Sequence, residues 1–201
     1  MSAPTALPGT WGVRGAPQQL WPTRIYRQTT PTGPDTDTLA QQVLDREQTD
    51  PSLSLGVHNA RKSSPDILSW DLPAIAVLNG WIRDAALAVT DAGPDTALSL
   101  SGWAVHYGHG GFHEAHAHHD SAVSGVYYLH TDARTSGALE LFDPRLARLA
   151  TTPPDNAMLM DVQPHPGLLI AFPSWLRHAV APHTADTPRL CIAFNVTVEQ
   201  P

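Results

Sequence analysis

Cysteine and positively charged residues are scarce in this chain of 201 residues. Cys191 is the single cysteine, so the sequence contains no disulfide framework and no thiolate metal site, which suits a reducing compartment. The 12 Lys and Arg residues are not clustered and are outnumbered by 19 Asp and Glu residues, which gives a net charge of -7. This distribution argues against nucleic acid and against an anionic membrane surface as partners.

Long hydrophobic runs are also missing. No stretch approaches the roughly 20 apolar residues that a transmembrane helix needs, and the first residues lack the charged and apolar segments of a secretory signal. We therefore expect a soluble, cytoplasmic protein. Because 42% of the residues are hydrophobic, the chain can bury an ordinary core, and we expect one domain over residues 1–201. The sequence gives no indication of the oligomeric state.

The front half of the chain has the pattern of helices and loops. Many of the 19 prolines lie in residues 1–36, so residues 1–20 are predicted to be irregular, with an edge strand over 20–26. A short helix is predicted from Thr38 to Gln48 with Asp37 as its N-cap, and a loop from Gly56 to Ser64. A longer helix is predicted after Asp71, in a helical front half over 20–95, from a stripe of apolar residues: Ile75, Leu78, Ile82, Ala85 and Val89.

The second half changes to short β segments separated by Gly, Pro and Asp turns. The predicted strands are Leu98 to Val105, Val123 to His130, Ala138 to Phe142, Leu168 to Phe172 and Leu190 to Val198. Helices followed by strands indicate an α+β chain in which residues 96–198 form a β-sandwich or barrel.

A histidine cluster precedes the second of these strands. Seven of the 11 histidines lie between His106 and His130. In an extended backbone His116, His118 and Asp120 share one face, while His113 and His119 lie on the opposite face. Two imidazoles about 7 Å apart along a strand can converge on one metal ion. A third ligand must come from elsewhere, and the best candidate is His178.

Such a set of ligands holds a metal ion from one side and leaves the other side open, as in a catalytic site. Imidazole and oxygen ligands favour Fe(II), with Zn, Mn and Ni as competitors. The spacing permits two ligand sets. One is His116, His118 and His178, and the other is His118, Asp120 and His178.

The last predicted strand has one wholly apolar face and one face with polar groups. Arg189, Cys191 and Asn195 alternate with apolar residues, which indicates that their face meets a polar ligand. The guanidinium of Arg189 can bind a carboxylate through two hydrogen bonds. Tyr128 and Ser124 share a face of the preceding histidine-rich strand, and both can hydrogen-bond the same carboxylate.

Several motifs together resemble the 2-oxoglutarate/Fe(II)-dependent oxygenase superfamily, and within it a small bacterial and phage subfamily. In chain order they are His116-Ala-His118, Ser124-Gly-Val-Tyr-Tyr-Leu129, Phe142-Asp-Pro-Arg145, Phe172-Pro-Ser-Trp-Leu176 with His178, and Arg189 with Phe194-Asn195. The resemblance implies a double-stranded β-helix (jelly-roll, cupin-like) core with N-terminal packing helices. It also implies Fe(II), 2-oxoglutarate and O2 as cofactor and co-substrates.

Carried over by position, the resemblance makes His116, His118 and His178 the metal ligands and catalytic residues. It places Arg189 at the carboxylate of 2-oxoglutarate with Tyr128 assisting. The implied reaction is oxidation of a C–H bond, most simply hydroxylation, in a small-molecule, amino-acid or peptidyl substrate, with succinate and CO2 as co-products. Two alternatives remain: a cupin-like metal enzyme that does not use 2-oxoglutarate, and a non-catalytic metal-binding jelly roll.

Overall fold

The computed structural model describes residues 22–48, 55–132, 135–145 and 159–199. The predictions for residues 1–20 lie outside these ranges. In chain order the elements are β1 (Tyr26–Thr29), α1 (Pro34–Glu47), β2 (Val57–Lys62), a 3-10 turn (Ile67–Ser69), α2 (Pro73–Thr90), β3 (Leu98–His116), β4 (Val123–His130), β5 (Leu139–Phe142), β6 (Leu159–Val162), β7 (Leu168–Pro173), β8 (His178–Val180) and β9 (Arg189–Val198). Neither helix in these ranges is long and apolar enough to cross a membrane.

The strands form an antiparallel, curled sheet in the order β1-β7-β4-β9-β3-β8-β5-β6, with β2 alongside β3. The long strand β3 belongs to both halves of this arrangement. Its first part, from Leu98 to Tyr107, pairs with β9, and its last part pairs with β8 through His113 and His116. Because β3 crosses from one half to the other, it joins the two layers of a jelly roll.

Two apolar clusters follow from the alternation of side chains along these strands. One face of the larger layer packs against both helices, for example through Tyr127 and Ile192. The opposite face, with Tyr128 and Cys191, points into the interior between the layers. The candidate site therefore lies on the interior face, and the helices support that face from behind.

Helix α2 confirms the predicted apolar stripe. Its five positions are all buried against the sheet: Ile75, Leu78, Ile82, Ala85 and Val89. The helix ends at Thr90, and the next residue, Asp91, adopts a left-handed conformation with φ of 59°. Burial of this stripe fixes the helix on the sheet.

Helix α1 begins four residues earlier than predicted, so Asp37 is not its N-cap. The N–H of Asp37 already donates to the carbonyl of Gly33 over 3.0 Å, which is an intrahelical bond. The Thr36 hydroxyl accepts a hydrogen bond from the N–H of Gly33 at 2.8 Å and holds the first turn. The start of the helix is therefore set by a threonine inside the first turn, which the search for a preceding cap missed.

The loop predicted from Gly56 to Ser64 is wrong, because β2 occupies Val57–Lys62 and pairs with β3. Its side chains are mostly polar and partly exposed, so the sequence lacks the apolar alternation that marks a half-buried strand. The prediction for β3 ended at Val105, whereas the strand continues to His116. Strands β6 and β8, each of three or four residues, were also not predicted.

Candidate metal centre

Three histidines come together where β3 and β8 meet. His116 is the last residue of β3 and is directly paired with His178, the first residue of β8. His118 follows two residues after β3, and its backbone N–H donates to the carbonyl of Ser174 over 2.9 Å. The metal-ligand spacing in the sequence is thus turned into proximity by one antiparallel pairing and one backbone hydrogen bond.

The three imidazoles form a compact group. Their ring centroids are 4.2 Å apart for His116 and His178, 5.1 Å for His116 and His118, and 5.4 Å for His118 and His178. One nitrogen from each ring lies within 4.8 Å of the others. His178 is buried and the other two are half-buried, so the group can bind an ion from one side only.

Backbone carbonyls fix which nitrogen of two of these rings is free. Nδ1 of His116 lies 2.7 Å from the carbonyl of Glu114, and Nδ1 of His178 lies 2.8 Å from the carbonyl of Leu176. Because a carbonyl only accepts, Nδ1 carries the hydrogen in both rings and Nε2 keeps its lone pair. This is the tautomer that a ligand binding through Nε2 needs.

His118 is held by a side chain instead. Nδ1 of His118 lies 3.0 Å from Nδ2 of Asn195, whose Oδ1 accepts a hydrogen bond from the Ser124 hydroxyl at 2.8 Å. Turning the amide by 180° exchanges its two ends, so that Oδ1 accepts from Nδ1–H of His118 and Nδ2 donates to Ser124. Metal binding through Nε2 of His118 requires this second arrangement.

Replacing Asn195 with alanine is expected to weaken metal binding by about tenfold, because His118 loses the group that orients it. Asn195→Asp is expected to restore most of the affinity, since its carboxylate accepts from Nδ1–H. Thr197→Ala, on the same face of β9 but exposed, is the matched control. Fe(II) affinity measured under anaerobic conditions tests this. Equal affinity in wild type and Asn195→Ala would contradict it.

Burial keeps the three rings neutral. It lowers the pKa of His178 to about 3 and that of His118 to about 4, and it also lowers the pKa of His116. Phe172 packs edge-on against His178 with ring centroids 4.8 Å apart. Neutral imidazoles present lone pairs to a cation without competition from protons.

The geometry separates the two ligand sets that the spacing permitted. Among the described residues, His116, His118 and His178 form the group that can hold a metal ion, and exposed Asp120 is not part of it. His113 corrects a second expectation, because it is not on an opposite, remote face. The register of β3 against β8 shifts between His113 and His116, and the two rings meet edge-on at 4.0 Å.

Arg189 is completely buried on the interior face of β9, as its position in the alternation predicted. Its Nη1 donates to the carbonyl of Gly137 over 2.7 Å, while Nε and Nη2 have no partner among the described residues. The guanidinium lies over the rings of Tyr107, at 4.7 Å, and Tyr128, at 5.2 Å. A buried cation with two unpartnered donors fits a carboxylate bound through two hydrogen bonds.

Tyr128 offers one more donor beside Arg189. Its hydroxyl is buried without a partner, and burial raises its pKa to about 12, so it keeps its hydrogen. The structure therefore brings Tyr128 and Arg189 together, as predicted from their positions. Ser124 and Asn195 were also predicted to contact the carboxylate, and that stays a prediction. Their observed hydrogen bonds are to each other and to His118.

A cavity of about 50 Å³ adjoins the three histidines. Its wall includes apolar side chains such as Trp103, Val105 and Leu139, and it also includes three residues that the sequence analysis did not select: Lys62, Tyr107 and His113. Lys62 and Tyr107 were missed because nothing in the local pattern distinguishes them. Tyr107 could have been suggested by its place opposite Arg189 in the pairing of β3 with β9, which only the register reveals.

The fold and the site together define a class of protein. A jelly roll that gathers three neutral imidazoles in its interior, beside an arginine with free donors, is a mononuclear metal site with room for an anionic co-substrate. Residues 101–195, which include all the proposed site residues, match the family described as "Putative 2OG-Fe(II) oxygenase". The chain thus belongs to the 2-oxoglutarate/Fe(II)-dependent oxygenase superfamily, and it is an enzyme that uses Fe(II), 2-oxoglutarate and O2.

Solved structures agree on the double-stranded β-helix fold. A Pseudomonas putida prolyl-4-hydroxylase is 19% identical with a TM-score of 0.61, over 87% of this chain and 92% of that chain. HygX from Streptomyces hygroscopicus, with nickel, 2-oxoglutarate and hygromycin B bound, is 16% identical with a TM-score of 0.60, over 88% and 83%. A Trichoplax adhaerens prolyl hydroxylase in complex with a hypoxia inducible factor peptide fragment is 17% identical with a TM-score of 0.61, over 87% and 83%. Comparison with curated proteins gives no match.

Proposed function

We propose that this oxygenase hydroxylates an unactivated C–H bond of a small-molecule, amino-acid or peptidyl substrate, with His116, His118 and His178 as the ligands of Fe(II). The observation that carries the proposal is the three-histidine group beside a buried arginine that has unpartnered donors. Bound Fe(II) and 2-oxoglutarate supply oxidation by O2, in which one oxygen atom enters the substrate and the other enters succinate as CO2 leaves.

The chain's own residues have separate tasks in this proposal. The histidines hold the ion from one side, and the carbonyls of Glu114 and Leu176 keep two of the rings in the required tautomer. Arg189 and Tyr128 bind one carboxylate of 2-oxoglutarate, and Arg189 has two donors available for it. Asn195, supported by Ser124, orients His118. The apolar wall of the cavity excludes water from the reacting groups.

Fold similarity alone does not select among substrates. The prolyl hydroxylases and HygX have names and ligands that point to peptidyl and aminoglycoside substrates, and each is below 20% identity to this chain. Hydroxylation is preferred over desaturation or ring closure because it requires no further group from the protein.

Anaerobic titration of the apoprotein tests the proposal. We expect Fe(II) followed by 2-oxoglutarate to produce a weak visible charge-transfer absorption that saturates at one equivalent of each. Zn(II) in place of Fe(II) is the matched control and should give no band. After admission of O2, candidate substrates should increase succinate release and gain one oxygen atom by mass spectrometry. Binding of Fe(II) without the band, or a product that lacks the added oxygen, would contradict the proposal.

A further inference from the structure

Lys62 is the one cation in the wall of the cavity beside the three histidines, among the described residues that line it. It is the last residue of β2, the strand that the sequence analysis took for a loop. Its Nζ donates to the carbonyl of Leu55 over 2.8 Å and to Nε2 of His113 over 2.9 Å. An ammonium group has three hydrogens, so one donor is left for a ligand.

The position of Lys62 is built into the fold. Gly56, with φ of 72°, brings the turn before β2 against the His113 ring, and a Cβ at this position would lie 3.0 Å from His113 Nε2. Burial lowers the pKa of His113 to about 2, so this ring is neutral and accepts the hydrogen bond from Lys62. A carbonyl and a neutral imidazole orient the ammonium group, but neither neutralises it.

No carboxylate of the described residues forms an ion pair with Lys62. Its neighbour Arg61 differs, since it is exposed and lies 3.4 Å from Glu47. A half-buried lysine without an anionic partner is costly, and burial lowers its pKa, as expected for a cation that has lost water without gaining an anion. An anionic ligand group would remove this cost.

The charges near the site leave an anion to be supplied. Fe(II), Arg189 and Lys62 together carry four positive charges, and the three histidines are neutral. The proposed function places one carboxylate of 2-oxoglutarate at Arg189 and the other at the metal, which balances two of these charges. Asp120, whose charge raises the pKa of His118, offsets one more. One positive charge remains, and Lys62 is the group without a partner.

We propose that Lys62, oriented by His113 and Leu55, binds a carboxylate of the primary substrate, so that the enzyme oxidises a monocarboxylic acid at a carbon close to that group. This inference rests on the proposed function. A carboxylate is favoured over a phosphate because a single ammonium group is available there, without the arginine fork or helix N-terminus that phosphate sites use. The apolar neighbours Trp103 and Val105 would contact the rest of the acid.

The test is isothermal titration calorimetry of the anaerobic protein saturated with Fe(II) and 2-oxoglutarate. The probes are L-leucine and L-phenylalanine as free amino acids and as N-acetyl derivatives, each paired with its carboxamide, and inorganic phosphate. The N-acetyl acids stand for a peptide C-terminus and the free acids for an amino-acid substrate. We expect one of the two acid series to bind at least tenfold more tightly than its amides, and phosphate not to bind.

Lys62→Met is expected to abolish the preference for acid over amide, and Lys62→Arg to retain part of it. Affinity for 2-oxoglutarate should change less than twofold in both variants. Arg61→Met is the matched control, because it removes the same charge from the same strand but outside the cavity. Lys62→Gln, which keeps a hydrogen-bond donor, is the second variant if Lys62→Met does not fold.

Three results would overturn the inference: amides that bind as tightly as acids, no binding of any acid at millimolar concentration, or a tenfold loss of 2-oxoglutarate affinity in Lys62→Met. The last would assign Lys62 to the co-substrate. The charge-transfer band of the loaded protein separates these results from failure of the proposed function. If the band is absent in wild type, the proposed function fails first. If it forms normally and Lys62 has no effect, this inference alone fails.

Discussion

Replacing His178 with alanine is expected to lower Fe(II) affinity at least about 100-fold and to abolish the charge-transfer band with 2-oxoglutarate. His178 is the ligand that β8 contributes, and it is the most buried of the three rings. Without it, His116 and His118 come from one segment and cannot surround an ion from one side. Anaerobic equilibrium dialysis with Fe(II), followed by the absorption titration, measures both effects.

Two further variants make this test specific. His130→Ala removes an exposed histidine at the end of β4 and should leave Fe(II) binding unchanged. Asp120→Asn should also retain Fe(II), whereas His116→Ala should lose it, because the structure groups His116 and not Asp120 with the other ligands. Loss of iron in Asp120→Asn with retention in His116→Ala would instead establish the ligand set with a carboxylate.

Replacing Arg189 with methionine is expected to weaken 2-oxoglutarate binding about 100-fold and to leave Fe(II) binding intact. A carboxylate held by two charge-assisted hydrogen bonds loses roughly 3 kcal/mol when the guanidinium is removed. The free energy of unfolding of the apoprotein should not fall, because the variant replaces a buried, unpaired charge with an apolar side chain of similar length. Calorimetry with 2-oxoglutarate and thermal unfolding measure the two quantities separately.

Arg177→Met is the control for this prediction. Arg177 is exposed, lies over the Phe142 ring and is next to His178 in the sequence, so its loss should affect neither measurement. Unchanged 2-oxoglutarate affinity in Arg189→Met, together with a clearly lower melting temperature, would show that Arg189 serves the core through its bond to Gly137 rather than the co-substrate.

Patterns that repeat along the chain were reliable guides to the fold. The apolar stripe of α2 and the segment Val123–His130 were predicted with nearly their observed bounds, because a regular period of 3.6 or 2 records which side chains are buried. The start of α1 was wrong because a hydroxyl inside its first turn holds the Gly33 N–H. Strand β2 was wrong because its polar side chains carry no periodic signal, although its backbone pairs fully with β3.

The candidate site was predictable as far as residue chemistry reaches. The spacing of His116 and His118, the isolated His178 and the polar face of β9 indicated the metal and carboxylate groups, and the structure brings them into one interior. The sequence left Asp120 as an alternative ligand, and it placed His113 away from the site. A register shift between β3 and β8 corrects the second point, and such a shift leaves no trace in the local pattern.

The sequence by itself therefore determined the class of fold, the family and the residues that carry the chemistry, because residue type and periodicity are local properties. The tertiary structure decided which of these residues meet. The partner of His118, the ring beneath Arg189 and the placement of Lys62 beside His113 all depend on strand register between segments up to 77 residues apart. Register is fixed by pairing and packing of the whole sheet, which no single segment encodes.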